Sequence, residues 1–367
     1  MNYEAAAQSL RPDIAEVDVR QVICRYGIDG ISSLSRVNAG TEGTIFIVNF
    51  GDHQMVAKVY IDDTGLDSRI EEEAGLYAFI NEAGGTLDFS APRVIPTQNG
   101  GMSAELDISL TRSRVVLMDH VVGQPLPASE VSTEEMYRVG RALANIHGSL
   151  VKYERRASAF PRPVVTDDSP IYRNLGLKRL ARKVIGKPTL YDVEMGQYGF
   201  LPTLKKTPNV TALHDAVLAE MERIDPLISD FLRDIPPPHQ NDLIPIHNDL
   251  KPDHVIVNEE SICFIDWGGR RLGTTPQELG VFLLQLYSGS VISYEKWKEL
   301  CDGLIEGYSS VRKLEDYEIA SVRAYIIARA VESIKWFCWL STQTGSAVDI
   351  DNLTRRFELV KKIIELE

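Results

Sequence analysis

Cysteine is scarce and scattered in this sequence. Cys24, Cys263, Cys301 and Cys338 are spread through 367 residues with no CxxC pair among them. That spacing speaks against a disulfide framework or a structural zinc site and favours a reducing cytoplasm. No stretch approaches the roughly 18 uncharged apolar residues of a membrane-spanning helix. The opening MNYEAAAQSLRPDIAEVDV lacks the basic-then-apolar layout of a secretory signal. Positive charge is also short, with 39 Lys and Arg against 52 Asp and Glu and a net charge of −13. A chain of that sign has no general affinity for nucleic acid or an anionic membrane surface. It suits a positively charged small substrate, although acidity also serves solubility alone. There is no internal repeat and no low-complexity tract.

What is present is an ordinary globular composition, 44% hydrophobic and 25% charged, long enough for one large or two moderate domains. Residues 12–26 have a helical apolar stripe in Ile14, Val17, Val19, Val22 and Ile23. Gly43–Phe50 and Gln54–Ile61, joined by Gly51-Asp52-His53, read as a β-hairpin. A helix is expected over 68–82, and strands over Arg93–Pro96 and Arg114–Met118. After Gly123-Gln124-Pro125-Leu126-Pro127 the pattern turns helical, at 133–150, 211–233, 276–288, 294–308 and 315–341. The reading is α+β, with a strand-rich unit over 1–122 and a mainly helical one over 123–367. The latter includes an irregular insertion at 151–240, with basic residues at 178–187.

Two segments carry the chemistry. His247-Asn248-Asp249-Leu250-Lys251-Pro252-Asp253-His254 lies between apolar runs, and Ile262-Cys263-Phe264-Ile265-Asp266-Trp267-Gly268 follows. Phosphoryl transfer needs a base near the attacking hydroxyl and metal ligands that bridge the phosphates. A loop carboxylate (Asp249), a polar group five residues on (His254) and a second carboxylate beside a strand (Asp266) supply such parts.

These segments resemble the catalytic and metal loops of the protein-kinase-like superfamily, in its aminoglycoside phosphotransferase, choline kinase and homoserine kinase branch. The resemblance implies a two-lobed fold with a small β-rich N-terminal lobe and a larger helical C-terminal lobe. It implies Asp249 as catalytic base, His247 as the histidine that fixes the loop, and Lys251 beside them. It assigns metal binding to Asp266, with Trp267 in the aromatic position after it. The family usually has Asn where this chain has His254, so that ligand departs from the pattern, and Mg²⁺ prefers oxygen donors.

The same resemblance places the nucleotide, ATP or GTP with Mg²⁺, on the first unit. Gly40-Thr41-Glu42-Gly43-Thr44 leads into the hairpin, and glycines there let backbone N–H groups approach phosphate. Gly40, Thr41, Gly43 and Thr44 are therefore candidate phosphate contacts. Lys58 in MVAKVY is similar to the phosphate-pairing lysine of a V-A-I-K strand. Glu73 is its expected partner, with Glu72 the fallback. Met118, Asp119 and Val121 fall where the resemblance puts the hinge and the nucleotide base.

The D-L-K-P string also occurs in Ser/Thr protein kinases, but no A-P-E follows Asp266. A small hydroxylated acceptor is the favoured substrate, with a wall built by 151–240 and the C-terminal helices. Trp336, Phe337 and Trp339 could cage an amine, and Glu332 or Asp192 could pair with one, but aromatic residues on a helix are more often core. A catalytically silent nucleotide-binding scaffold is the alternative from a different class.

Overall fold

The computed structural model describes residues 14–37, 44–61, 66–85, 89–108, 111–153, 242–344 and 350–365, with a few positions between 219 and 231. Gly40, Thr41, Gly43, nearly all of the 151–240 insertion, and the side chains of Glu332, Trp336, Phe337 and Trp339 lie outside the described set. The chain divides into two compact units. The first comprises Met1–Leu126, Gly148–Ala159 and Asp253–Gly268; the second comprises Pro127–His147, Phe160–Pro252 and Gly269–Glu367.

The first unit is built on an antiparallel sheet. Its strands are β1 (Ile31–Val37), β2 (Thr44–Phe50), β3 (His53–Ile61), β5 (Val94–Ile95), β6 (Ala104–Ile108) and β7 (Thr111–Asp119). They run in the order β1-β2-β3-β7-β5, with β6 also paired to β7. TIFIVNF in β2 alternates between buried and half-buried positions, as a strand with one covered face must. Phe46, Val48, Ala57, Val59, Val115 and Leu117 form the covered face, together with Val19, Val22 and Ile23 of helix α1 (Glu16–Ile23). Burying an aliphatic or aromatic side chain of this size contributes about 1.5–3 kcal/mol. The two-residue side-chain period puts Lys58 and Tyr60 on the opposite face from Ala57 and Val59.

Helix α2 (Leu66–Gly84) buries Ile70, Glu73, Ala74 and Tyr77. A second sheet joins β4 (Phe89–Ser90), β11 (Ile262–Phe264), β10 (Val255–Val257) and β8 (Gln124–Pro125) in that order. The β10–β11 turn is made by Asn258, whose Oδ1 accepts from the N–H groups of Glu260 at 2.9 Å and Ser261 at 2.7 Å. This side chain satisfies the turn in place of backbone and delivers the chain to Asp266.

The second unit is helical. Helix α3 (Thr133–Leu150) starts with a capping box. The Ser132 hydroxyl accepts from Glu135 N–H at 3.1 Å, and Ser132 N–H donates to the Glu135 carboxylate at 2.8 Å. Strands β9 (Ile244–Ile246) and β12 (Arg271–Gly273) pair antiparallel. Helices α4 (Thr275–Ser288), α5 (Tyr294–Ser309) and α6 (Asp316–Thr344) follow, then α7 (Ile350–Glu365), a helix the sequence reading did not include. At Gly280 on α4, an added Cβ would lie 2.8 Å from the Val322 carbonyl oxygen on α6. A side chain there would force the two helices apart.

Candidate active site

In the second unit, β9 ends at Ile246 and the next three residues form a tight loop. His247 is buried and its Nδ1 lies 3.4 Å from the Asp249 N–H that donates to it. Asn248 adopts a left-handed backbone, φ 64°, a conformation Asn reaches more readily than most residues. This turns successive N–H groups to one side, where the carboxylate of Glu278 on α4 receives them. His247 N–H donates to Glu278 Oε2, and Asn248 N–H donates to Oε1 at 3.1 Å. Asn248 Nδ2 also donates to the Gly269 carbonyl at 3.2 Å.

Glu278 is fully buried. Burial pushes its carboxyl above the usual carboxylate range, against the pull of His247 and of the two backbone donors. Asp249, next on the loop, has a side chain 39% exposed and an ion pair with Arg329 of α6, Nη2 to Oδ1 3.3 Å. Gly269 backs the loop, and a Cβ there would sit 3.1 Å from Asp249 Cβ. Lys251 lies half-buried two residues on.

In the first unit, Lys58 meets Asp266 although 208 positions separate them, with Nζ 2.6 Å from Oδ1. Lys58 is 4% exposed. Burial alone would lower its pKa, yet Asp266, with Tyr60 and Glu73, carries it well above the lysine range. The ammonium also lies 4.7 Å from the Tyr60 ring centroid. Glu73, the expected partner, thus acts on Lys58 electrostatically. One of its oxygens accepts from the Tyr77 hydroxyl at 2.6 Å. The same hydroxyl accepts from Trp267 N–H at 3.3 Å, tying α2 to the residue after Asp266. Trp267 is buried, its indole N–H donating to the Phe264 carbonyl at 3.1 Å.

Asp266 is left-handed too, φ 62°. Its second oxygen lies 3.5 Å from His254 Nε2. His254 is held from behind, because its carbonyl accepts from Ile265 N–H at 3.0 Å. Among the described residues no group of three or more His, Cys, Asp or Glu is arranged to hold a metal.

Thr44 is buried at the start of β2, opposite Val59. Met118 lines a narrow cavity beside Tyr60, Glu73 and Tyr77. Asp119 gives its backbone N–H to the Arg93 carbonyl at 3.0 Å, and its carboxylate pairs with Arg93 Nε at 3.0 Å. Val121 follows in irregular chain. The first unit therefore gathers Lys58, Glu73, Asp266, His254 and Met118, and the second gathers His247, Asp249 and Lys251 on one loop.

Three residues of these sets escape sequence reasoning. Glu278 in TTPQELGVFLLQLY looks like a first-turn acid, favourable at any helix N-terminus, and the apolar run LGVFLL directly after it was the available signal. Arg329 stands in the apolar run YIIARAV, which is likewise unusual for a cation. Tyr77 is indistinguishable from an ordinary core aromatic.

The fold has relatives. A microcompartment-associated aminopropanol kinase superposes with a TM-score of 0.65 at 17% identity, covering 96% of each chain. An amicoumacin kinase, solved with AMP-PNP and Ca²⁺, gives 0.66 at 13% identity, covering 100% of this chain and 96% of its own. A spectinomycin phosphotransferase with bound ADP and spectinomycin gives 0.58 at 16% identity, over 97% and 98%. At these identities the likeness establishes the shared fold. No curated protein matches by sequence. The family model of the phosphotransferase enzyme family matches residues 33–321, and the chain belongs to that family, the small-molecule phosphotransferases.

Proposed function

We propose that this enzyme transfers the γ-phosphoryl group of ATP or GTP to a hydroxyl of a small acceptor, with Asp249 as the base. The observation that carries the reading is the pairing of buried Lys58 with half-buried Asp266 at 2.6 Å. A fully charged ammonium and a strained carboxylate, held together by a sheet strand and a rigid hairpin, make a preorganised polyphosphate site. Lys58 binds phosphate oxygens, and Glu73 and Tyr60 keep it charged. Backbone groups at His120 and Val121 are the better candidates for the nucleotide base, because the Asp119 N–H is already bonded to Arg93.

In the transfer the acceptor oxygen attacks the γ-phosphorus and its proton passes to an Asp249 carboxylate oxygen. The bond from γ-phosphorus to the bridging oxygen breaks, and its electron pair leaves on the β-phosphate of the departing diphosphate. Glu278 and Gly269 fix the loop that presents Asp249; His247 braces it from within, and Lys251 adds positive charge beside it. Asp266 suits a divalent ion such as Mg²⁺, which keeps waters and takes one or two carboxylates plus substrate phosphates. When bound, that ion would neutralise phosphate charge. His254 serves this site as a nitrogen ligand or through its contact with Asp266.

The acceptor is proposed to be a positively charged amine or sugar amine. The net charge of −13 supports this, as do the amino-alcohol and antibiotic substrates named for the structural neighbours. An apparent KM that rises with salt would support it, and a salt-insensitive KM would overturn it.

The test begins with thermal shifts on adding ATP or GTP with Mg²⁺. Nucleotide consumption is then measured over a panel of amino alcohols and aminoglycosides. Asp249→Asn is expected to keep the nucleotide-induced shift and lose about 10²–10⁴-fold in turnover, the usual contribution of a positioned base. Near-native turnover in that variant would remove Asp249 from the mechanism.

A further inference from the structure

The acceptor-side carboxylate is already engaged. Arg329 Nη2 lies 3.3 Å from Asp249 Oδ1, and the Asp249 side chain is 39% exposed, so water reaches it. The guanidinium is aimed by its backbone. Ser333 donates to the Arg329 carbonyl, and Ser333 Oγ accepts from Arg356 Nη1 at 2.9 Å. Arg356 is buried on α7 and bonds Asn352 Oδ1 at 2.7 Å and Gln285 Oε1 on α4 at 3.1 Å. Three helices therefore converge to fix the turn of α6 that presents Arg329.

In a phosphoryl-transfer enzyme a solvent-accessible base invites wasteful hydrolysis, with water in place of the acceptor. Water brings no binding energy of its own, whereas a polyfunctional acceptor brings contacts remote from its hydroxyl. Such remote binding energy can be spent on rearranging groups at the reacting centre. A part-exposed ion pair is weak enough for an acceptor to displace and strong enough to bias the carboxylate against water.

Resting on the assignment of Asp249 as base, we propose that Arg329 is a specificity-determining residue that favours the acceptor over water, holding Asp249 in a charge pair until an acceptor displaces it. In the suppressed side reaction the water oxygen attacks the γ-phosphorus and its proton goes to Asp249. The bridging bond breaks toward the diphosphate, giving inorganic phosphate and ADP.

The experiment measures acceptor-free ATP hydrolysis with Mg²⁺ for the native enzyme, Arg329→Met, Arg329→Lys, Asp249→Asn and the Asp249→Asn/Arg329→Met double variant. Arg329→Met is expected to hydrolyse ATP about two- to fivefold faster than native, the range a part-exposed pair supports. The KM for ATP should not change, Arg329→Lys should stay close to native, and the increase should vanish in the double variant. A purely structural defect would lower hydrolysis instead.

Unchanged or slower hydrolysis by Arg329→Met, with its ATP-induced thermal shift intact, overturns the proposal while leaving the base assignment standing. Native-rate hydrolysis by Asp249→Asn overturns the base assignment and this proposal with it. Should Arg329→Met not fold, the native enzyme decides: hydrolysis must rise with potassium chloride as the pair is screened, and a flat or falling dependence rejects the pair's role.

Discussion

Replacing Glu278 by Gln removes one charge from a buried site and keeps nearly the same shape. The carboxylate accepts the N–H groups of His247 and Asn248, using both oxygens, in a position with no solvent exposure. Hydrogen bonds to a charged group contribute about 1.5–3 kcal/mol each, against about 0.5–1.5 for neutral ones. An amide retains one acceptor oxygen and turns an NH₂ toward a donor, so one bond is lost and another weakened. Burying the charge is itself unfavourable, as its raised pKa records, and this offsets part of the loss. The expected net destabilisation is about 1–3 kcal/mol.

Because the folded-state pKa lies above the unfolded one, native stability falls as pH rises through that interval. The difference between native and Glu278→Gln should therefore narrow with rising pH above the ordinary Glu range. The effect on turnover should be larger than the effect on stability. A loop freed to shift by about 1 Å costs on the order of 10²-fold in rate, while nucleotide binding, which is proposed for the other unit, should persist. Denaturant titration and steady-state kinetics on the same preparations measure both quantities. Turnover within twofold of native in a properly folded Glu278→Gln protein would refute the idea that this carboxylate positions the loop.

Lys58→Met should weaken the ATP-induced thermal shift and raise the KM for ATP about 10- to 100-fold, the loss of one charge-assisted bond; an unchanged KM would detach Lys58 from the nucleotide. His147 is buried beside Tyr308, with its pKa lowered to about 3 by burial and by Arg312. Its stabilisation is fully present above about pH 6.5 and is lost as pH falls toward 3, by about 1.4 kcal/mol per unit. Melting curves from pH 7 to 5 should show this slope, and His147→Gln should flatten it. Asn248→Gly should fold and turn over within a few-fold of native because glycine accepts φ 64°, whereas Asn248→Val should lose at least 1–2 kcal/mol by urea titration.

The regular elements were legible because their sequence patterns are strong. The hairpin of β2 and β3, helix α3 and helices α4 to α6 were each expected within a few residues of their observed bounds. Strand β1 was missed because ISSLSRV is polar and buries Leu34 alone among its residues. The edge strand β6, AELDI, is similar, with only alternate residues inward. Helix α7 was missed even though Leu353, Phe357 and Val360 recur at helical spacing and are buried.

At the candidate site, motif residues were legible because their spacing is rare in combination. Their supports were not, because Glu278, Arg329 and Tyr77 act through burial and distance, which a linear sequence does not display. Asp266 as the hydrogen-bonded neighbour of Lys58 was hidden for the same reason.

Among the described residues, the two non-glycine positions with positive φ are Asn248 and Asp266. Each such backbone costs about 1–2 kcal/mol, and strain of this kind persists only where surrounding contacts determine it. The supports differ between the two positions. Asn248 is held by the Glu278 carboxylate and the Gly269 carbonyl within the second unit. Asp266 is held by Lys58, His254 and the Tyr77–Trp267 contact within the first. Among the described contacts the two sets share no residue, and each set lies within one unit. Substitutions without shared partners add in free energy, to within about 0.5 kcal/mol. A Tyr77→Phe/Glu278→Gln double variant should therefore lose transition-state stabilisation equal to the sum of its single variants, measured as kcat/KM for the acceptor. Tyr77→Phe should act mainly through nucleotide affinity and Glu278→Gln mainly through turnover. A coupling well beyond 0.5 kcal/mol would mean that the two carboxylates are positioned by one shared network rather than by two local ones.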